Sequence, residues 1–318
     1  MKFVDIKNDV AFRKIFGNEK KKIILISFLN AVLDLTGQHR IADVTLIDPF
    51  QLPRIIGEKA TIIDVRARDQ SGRSFIIEMQ VAEKDGFKKR VQYYSCKEYA
   101  SQIDRGDSYV LLNPVYFIGI LNFKFFPNPN YFTKHLTIDE ETGECTLDDL
   151  KFRFIELPKF KKNEHELKTI IDKWTYFIKK ADKLEVIPEN VDDEGLLAAY
   201  EEAKKHNWTK KEYDAYIYAG MREQDRKGEI SFAERKATER GMKKGMEKGM
   251  EKGMQKGMEK GIEKGIEKGT QIGAKIGKQQ EKQEVAARCL ENGMSVETTA
   301  QIADLTIDEV ENIKEEMK

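Results

Sequence analysis

Cysteine is scarce in this chain of 318 residues, and Cys96, Cys145 and Cys289 stand far apart with no C-x-x-C pair. That spacing argues against a disulfide framework or a zinc site and for a reducing compartment. The four histidines, His39, His135, His165 and His206, are scattered, and none has a Cys or His partner at metal-ligand spacing. They read as surface or packing residues. No apolar run is long enough to span a bilayer and no signal peptide opens the chain, so a soluble cytoplasmic protein with no membrane partner is expected. An excess of one charge is also missing, because 55 basic and 55 acidic residues cancel. The molecule is therefore not a general polycation, and any nucleic-acid contact must come from local patches.

What the chain does have is a hairpin pattern over residues 60–81. Two β-rich runs, TIIDVRA and SFIIEMQ, flank the turn signal Asp69-Gln70-Ser71-Gly72. Side chains alternate across a strand. Ile62, Asp64 and Arg66 then share one face and Ile63 and Val65 the other. On the second strand Ile76, Glu78 and Gln80 share a face, opposite Phe75, Ile77 and Met79. A turn near Ser71 sets Asp64 across from Glu78. Directly opposed residues have Cβ atoms about 5 Å apart, and like charges so placed repel. One acidic residue in a strand is ordinarily a solvated edge position. Two of them, cross-strand within runs as apolar as IID and IIE, call for a positive group between them. A divalent cation held by two carboxylates and waters meets that need.

The flanking segments suggest what carries the hairpin. Residues 1–36 read as two helices. Asn8 or Asp9 can cap the first, Gly17 stops it, and the second is rich in buried-type residues. Asp9 is either a cap or a further metal or water ligand from a helix packed near the hairpin. Residues 41–56 look extended, since Pro49 and Pro53 preclude a long helix. After the hairpin, Phe87, Val91, Tyr94, Tyr99 and Ile103 suggest a helix ending at Gly106, with Lys88, Lys89, Arg90, Gln92 and Lys97 on its other side. Such a face is commonly just solvated, but starting where the acidic strand ends suits it to a phosphate backbone. PVYFIGILNF reads as a strand buried on both sides. HLTID and KFRFIEL alternate as further strands, and residues 164–240 read as amphipathic helices packing on the core. This order implies an α/β sandwich with a mixed sheet.

A glycine then recurs every fourth residue over residues 241–277, in a unit G-M-E-K that drifts to G-I-E-K and then to TQIGAKIGKQQ. Ten helical glycines cost on the order of 10 kcal/mol relative to alanine. A period of 4.0 exceeds the helical 3.6, so a stripe of this period winds around the helix and stays on a partner only in a right-handed supercoil. The first reading is a fraying helix or flexible tether. The second is a self-association segment in which glycine permits close backbone approach. A phosphate loop is excluded, because the strand–loop–helix setting and the G-K-[ST] ending are absent. Residues 281–318 have the rhythm of a small tri-helical, helix-turn-helix-like unit, with breaks at Gly293 and near Leu305-Thr306. Its last helix carries Asp308, Glu309 and Glu311, which would repel DNA, so packing or dimerisation is the favoured role. The chain thus divides into a core at 1–160, a helical flank at 161–240, the repeat at 241–280 and an association unit at 281–318.

Asp64, then Glu78-x-Gln80, then a helix bearing Arg90-Val91-Gln92-Tyr93-Tyr94 resembles the PD-(D/E)XK nuclease superfamily. The phrases NDVAFRKIFG, FIIEMQ, YYSCKEYASQIDRGDSY and PVYFIGIL, with the glycine repeat, resemble more narrowly the Rpn family of recombination-promoting nucleases, also described as transposases. The resemblance covers most of the chain and is strongest over residues 4–120. It implies a restriction-endonuclease-like αβββαβ core, Mg²⁺-dependent DNA cleavage with Mn²⁺ as an alternative, and a bacterial cytoplasmic setting. By position, Asp64 and Glu78 would be metal ligands, with Asp9 the acidic residue from the first helix. Arg90, Gln92 and Tyr93 would orient the metal site or the phosphate. Gln80 falls where the superfamily has Lys. An amide can hydrogen-bond a water but cannot be a base. A rival from another class is a non-catalytic nuclease-fold binding module that self-assembles through its tail.

Overall fold

In the computed structural model, residues 2–51 and 61–317 are described. The expected start of the hairpin at Ala60 and the end of the extended segment at residues 52–56 lie outside the described residues. The chain forms two compact units, Met1–Lys227 and Gly228–Lys318.

Helix α1 (Asp9–Phe16) starts at Asn8, whose side chain accepts the N–H groups of Val10 and Ala11, and it ends at Gly17. Asn8 is therefore the cap, and Asp9 is the first helical residue, where an acidic side chain complements the helix dipole. Helix α2 (Lys22–Leu33) is largely buried. Its Asn30 grips the backbone of Ile41, accepting the N–H at 2.8 Å and donating to the carbonyl at 3.0 Å. That clamp aims the chain into strand β1 (Val44–Ile47). The short strands β2 (Phe50–Gln51) and β3 (Thr61–Ile62) pair with each other as a separate ribbon.

The hairpin itself is β4 (Val65–Asp69) and β5 (Ser74–Gln80), paired antiparallel. The Asp69 carboxylate closes the turn by accepting the N–H groups of Ser71 and Arg73. Gly72 supplies the positive φ of +86° that this turn requires. Helix α3 (Phe87–Ala100) then crosses to β6 (Val115–Leu121), followed by β7 (Phe132–His135) and β8 (Leu150–Glu156). The six-stranded sheet has the order β1-β4-β5-β6-β8-β7. Its β5–β6 and β6–β8 pairings are parallel and the rest antiparallel. This is the mixed sheet expected, and every residue of β6 is buried, as a strand covered on both faces should be.

One face of the sheet packs on α1, α2, α4 (Ile170–Lys180) and α5 (Glu194–Ala203) through Phe12, Phe16, Phe28, Trp174, Phe177 and Tyr200. Val65, Ala67, Phe75, Ile77 and Met79 point into this layer. The other face packs on α3 through Ile63, Ile76, Phe87, Val91, Phe117 and Phe154. The 161–240 flank is therefore not separate from the sheet, because α4 and α5 complete its larger core.

Three expectations need correction. Ile63 lies on the α3 face, opposite Val65, because the strand breaks at Ile63–Asp64 and the alternation shifts there. Helix α3 stops at Ala100, short of Gly106. Just past its end, the Gln102 amide pairs with the backbone of Asn113, accepting its N–H and donating to its carbonyl, and so diverts the chain toward β6. Strand β7 occupies residues 132–135 and not HLTID, whose Leu136 and Ile138 are exposed.

The second unit contains most of α6 (Lys210–Glu291), then α7 (Val296–Ala303) and α8 (Ile307–Glu316). The glycine repeat is helical throughout, so of the helix and the tether it is the helix that forms. Ala286, Ala300, Ala303 and Val310 make the small core of the terminal unit. The expected breaks are present. Gly293 has a φ of +81°, Ser295 caps α7, and Thr306 with Glu309 forms a capping box on α8.

Candidate active site

The hairpin register puts Val65 opposite Ile77, and one step further Asp64 falls opposite Glu78. Asp64 sits at the break just before β4 and is held from two sides. Its Oδ2 accepts the Met79 N–H at 2.9 Å, and its Oδ1 accepts from Arg13 of α1, Nε at 3.2 Å and Nη2 at 2.9 Å. Glu78, in the middle of the fold, is buried. Its Oε2 accepts from Gln80 Nε2 at 2.7 Å, while its Oε1 is buried with no hydrogen-bond partner. Gln80 in turn accepts on Oε1 from Arg90 Nη2 of α3 at 2.9 Å. A chain of contacts thus runs from α3 to the buried carboxyl: Arg90 to Gln80 to Glu78. The salt bridge from Arg66 Nε of β4 to the buried Glu98, at 2.5 Å, fixes α3 against the sheet.

Burial raises the Glu78 carboxyl to about 8, and the negative charge of Asp64 adds to the effect. Arg90, the Gln80 hydrogen bond and Arg13 oppose it without overcoming it. The Tyr94 phenol is also raised, by burial and then by Glu78, which puts this ring beside the carboxylates. Lys84 is lowered, first by desolvation and then by the guanidinium groups of Arg226 and Arg90.

These features fit a divalent cation. Two hard carboxylate groups face each other, and one buried oxygen lacks any donor. Arg13 pairs with Asp64, and its positive charge lowers the Glu78 pKa without bringing it back to the ordinary value. An oxygen-seeking ion completed by water would meet both carboxylates. Among the described residues, no group of three or more His, Cys, Asp and Glu side chains converges on a metal position. Asp9 accordingly does not join the pair. It is exposed at the start of α1, and its carboxylate accepts the Val10 N–H at 2.9 Å.

Of the α3 residues that the sequence offers for phosphate contact, Arg90 is the one that turns inward. Lys88, Lys89, Gln92 and Tyr93 are exposed. Lys88 Nζ lies 5.2 Å from the centre of the Phe125 ring, and the Gln92 side chain reaches back to the Lys88 carbonyl at 3.4 Å. In the Tyr93-Tyr94 pair, it is Tyr94 that neighbours the carboxylates. Sequence reasoning assigned no site role to Arg13 or Lys84, and it set Tyr94 only on the apolar side of the helix. Arg13 had a usable signal, because it stands one helical turn after Asp9 and so on the same face of a helix already placed near the hairpin.

Sheet order, an acidic pair at the hairpin, and the E-x-Q strand feeding α3 define an α/β protein of the restriction-endonuclease-like, PD-(D/E)XK nuclease class. The chain belongs to the family described as PD-(D/E)XK nuclease family transposase, which it matches over residues 6–233. No curated protein and no solved structure matches it significantly. The matched segment contains every residue of the site just described. Among the described residues, no helix is long and apolar enough to cross a membrane.

Proposed function

We propose that the protein is a metal-dependent DNA endonuclease that hydrolyses phosphodiester bonds and takes part in DNA recombination, as its likeness to the Rpn nucleases implies. One observation carries the reading: the buried Glu78 faces Asp64 with one oxygen unpartnered and its carboxyl held near 8. Asp64 and Glu78 would hold the ion, with Mg²⁺ the expected species and Mn²⁺ able to replace it. When bound, such an ion lowers the pKa of a coordinated water and offsets charge on the phosphate.

The protein's own groups do the rest by placement. Met79 N–H fixes the Asp64 carboxylate. Arg90 holds the Gln80 amide by its oxygen, which turns the NH₂ toward Glu78. Gln80 has no charge to supply and acts by orientation alone. Lys88, Lys89, Gln92 and Tyr93 form the exposed face for the phosphate backbone and Arg90 its inner edge, in keeping with contacts that position DNA without reading sequence. Asp9, exposed one turn before Arg13, lies outside this ligand pair. Copies associate through the C-terminal region, and the setting is the bacterial cytoplasm.

The test is nicking of supercoiled plasmid with and without Mg²⁺, using the intact protein and Asp64→Ala. Metal-dependent cutting that the variant loses supports the reading. Cutting that survives in the variant rejects this site. Failure of both proteins to cut, together with absent Mn²⁺ binding, moves the protein to the binding-module class.

A further inference from the structure

The glycine repeat has no explanation inside one chain. All ten glycines of residues 241–277 are helical, and a Cβ built on any of them meets nothing within 4 Å. No positive φ requires glycine there. Beside the glycines run Met242, Met246, Met250, Met254, Met258, Ile262 and Ile266, which are 55–78 % exposed. An apolar row of that length left in water, next to positions where glycine costs helix stability, points to a partner.

The charges say which partner and which way round. From Gly245 to Lys268 every unit is Gly, Met or Ile, Glu or Gln255, and Lys, and all are exposed. Successive residues step about 100° around a helix. The order around the surface is therefore Gly, apolar, Glu, Lys. A seam centred on the Gly and apolar rows has Lys along its glycine edge and Glu along its apolar edge. Place a second copy against that seam in parallel, related by a two-fold axis along the helices. Each apolar row then lies over the partner's Gly row, and each Lys row lies beside the partner's Glu row. In the antiparallel arrangement apolar meets apolar, Gly meets Gly, Lys meets Lys and Glu meets Glu. Volume and charge both choose the parallel pair.

The period agrees with this geometry. Each unit advances the seam about 40°, so it circles the helix in roughly 54 Å of rise. A pair that follows it is a right-handed coil. Glycine-lined helix pairs in membranes cross in that hand at about 40°, with small residues letting the backbones approach closely.

We propose that residues 241–277 form a parallel, right-handed, two-stranded seam with a second copy of this chain, glycine row against the methionine and isoleucine row and lysine row against glutamate row. The inference rests on the reading that copies associate through the C-terminal region, and it adds the partner, the orientation and the contacting rows. Both chains then enter the seam from the same end.

The test uses the full chain with Cys96, Cys145 and Cys289 replaced by Ser. Mass is read by analytical ultracentrifugation, and orientation by disulfide formation in Met246→Cys and Ile266→Cys, alone and mixed. The expected result is a dimer in which Met246→Cys crosslinks to itself and Ile266→Cys to itself. A dimer that crosslinks only when the two variants are mixed is antiparallel and overturns the orientation while sparing the association. A monomer overturns both, and a trimer or larger assembly overturns the two-stranded seam.

A second pair of variants tests the charge rows. Changing Glu247, Glu251, Glu259, Glu263 and Glu267 to Lys weakens self-association about a hundredfold by setting like charges against each other. Changing Lys248, Lys252, Lys256, Lys260, Lys264 and Lys268 to Glu has the same effect, and mixing the two chains restores the dimer. Unchanged self-association in both variants overturns the facing rows. Circular dichroism of each variant shows whether the helix itself persists.

Discussion

Glu78 carries the largest electrostatic consequence of any single residue in the site. Its carboxyl is raised from an ordinary 4.5 to about 8 by burial and by Asp64. Between those values the folded chain holds a proton that the unfolded chain releases. Its contribution is therefore complete below the lower value and lost as pH rises through the upper one. Metal-free protein should lose on the order of a few kcal/mol of stability from about pH 5 to pH 9, and Glu78→Gln, which stays neutral, should show a flatter profile. Urea unfolding at a series of pH values measures both, and equal slopes would refute the assignment. A second test concerns Gln80. Restoring the superfamily's lysine with Gln80→Lys would set an ammonium against Arg90, whose Nη2 now donates to the Gln80 oxygen at 2.9 Å. Nicking should fall, by roughly tenfold or more, because the Arg90–Gln80–Glu78 positioning is lost. A gain in rate would mean that the amide is only a weakened base position.

Among the elements, the hairpin was the most legible part of the chain. Two-residue periodicity and a turn marked by Asp69 and Gly72 are local signals, and they set the register that brings Asp64 opposite Glu78. The break at Ile63–Asp64 was not legible, because Asp64 is held by Met79 N–H and Arg13, one across the hairpin and one 51 residues away. Nothing local encodes such contacts. The same holds for the inward turn of Arg90, which depends on Gln80 across the β5–α3 junction. Close approaches between elements were equally invisible, and two glycines reveal them, one at a helix crossing and one between neighbouring strands. A Cβ at Gly195 of α5 would stand 2.5 Å from the Ile23 carbonyl of α2 and would also strike Ser27. One at Gly119 of β6, beside Glu78, would stand 2.7 Å from the Phe154 ring. Alanine at either position should cost about 1–3 kcal/mol through overpacking, despite alanine's better helix propensity at Gly195. Chemical denaturation gives the value, and a neutral Gly195→Ala would contradict the close α2–α5 approach.

At the scale of the whole molecule, the proposed pairing of the repeat would link the number of copies to the outcome of cleavage. A site acting alone meets one strand, and two sites entering from one end of a shared seam can meet both. The parallel arrangement therefore predicts linear plasmid as well as nicked circles from the intact chain. The ladder with Glu247, Glu251, Glu259, Glu263 and Glu267 changed to Lys leaves Asp64 and Glu78 untouched, so its nicking should persist while its linear product falls. Mixing it with the complementary Lys-to-Glu chain should bring the linear product back. Glycine itself supplies a control with the opposite sign. Alanine at Gly249, Gly253 and Gly257 meets open space within one chain and should firm the helix by up to about 1 kcal/mol per site. In the seam, however, the same methyl groups would fill the path of the partner's methionines. Stronger helicity together with weaker association and less linear product is the signature of a glycine row used between copies. Stronger helicity with unchanged association and unchanged product ratio would place these glycines outside any interface and separate strand number from the ladder.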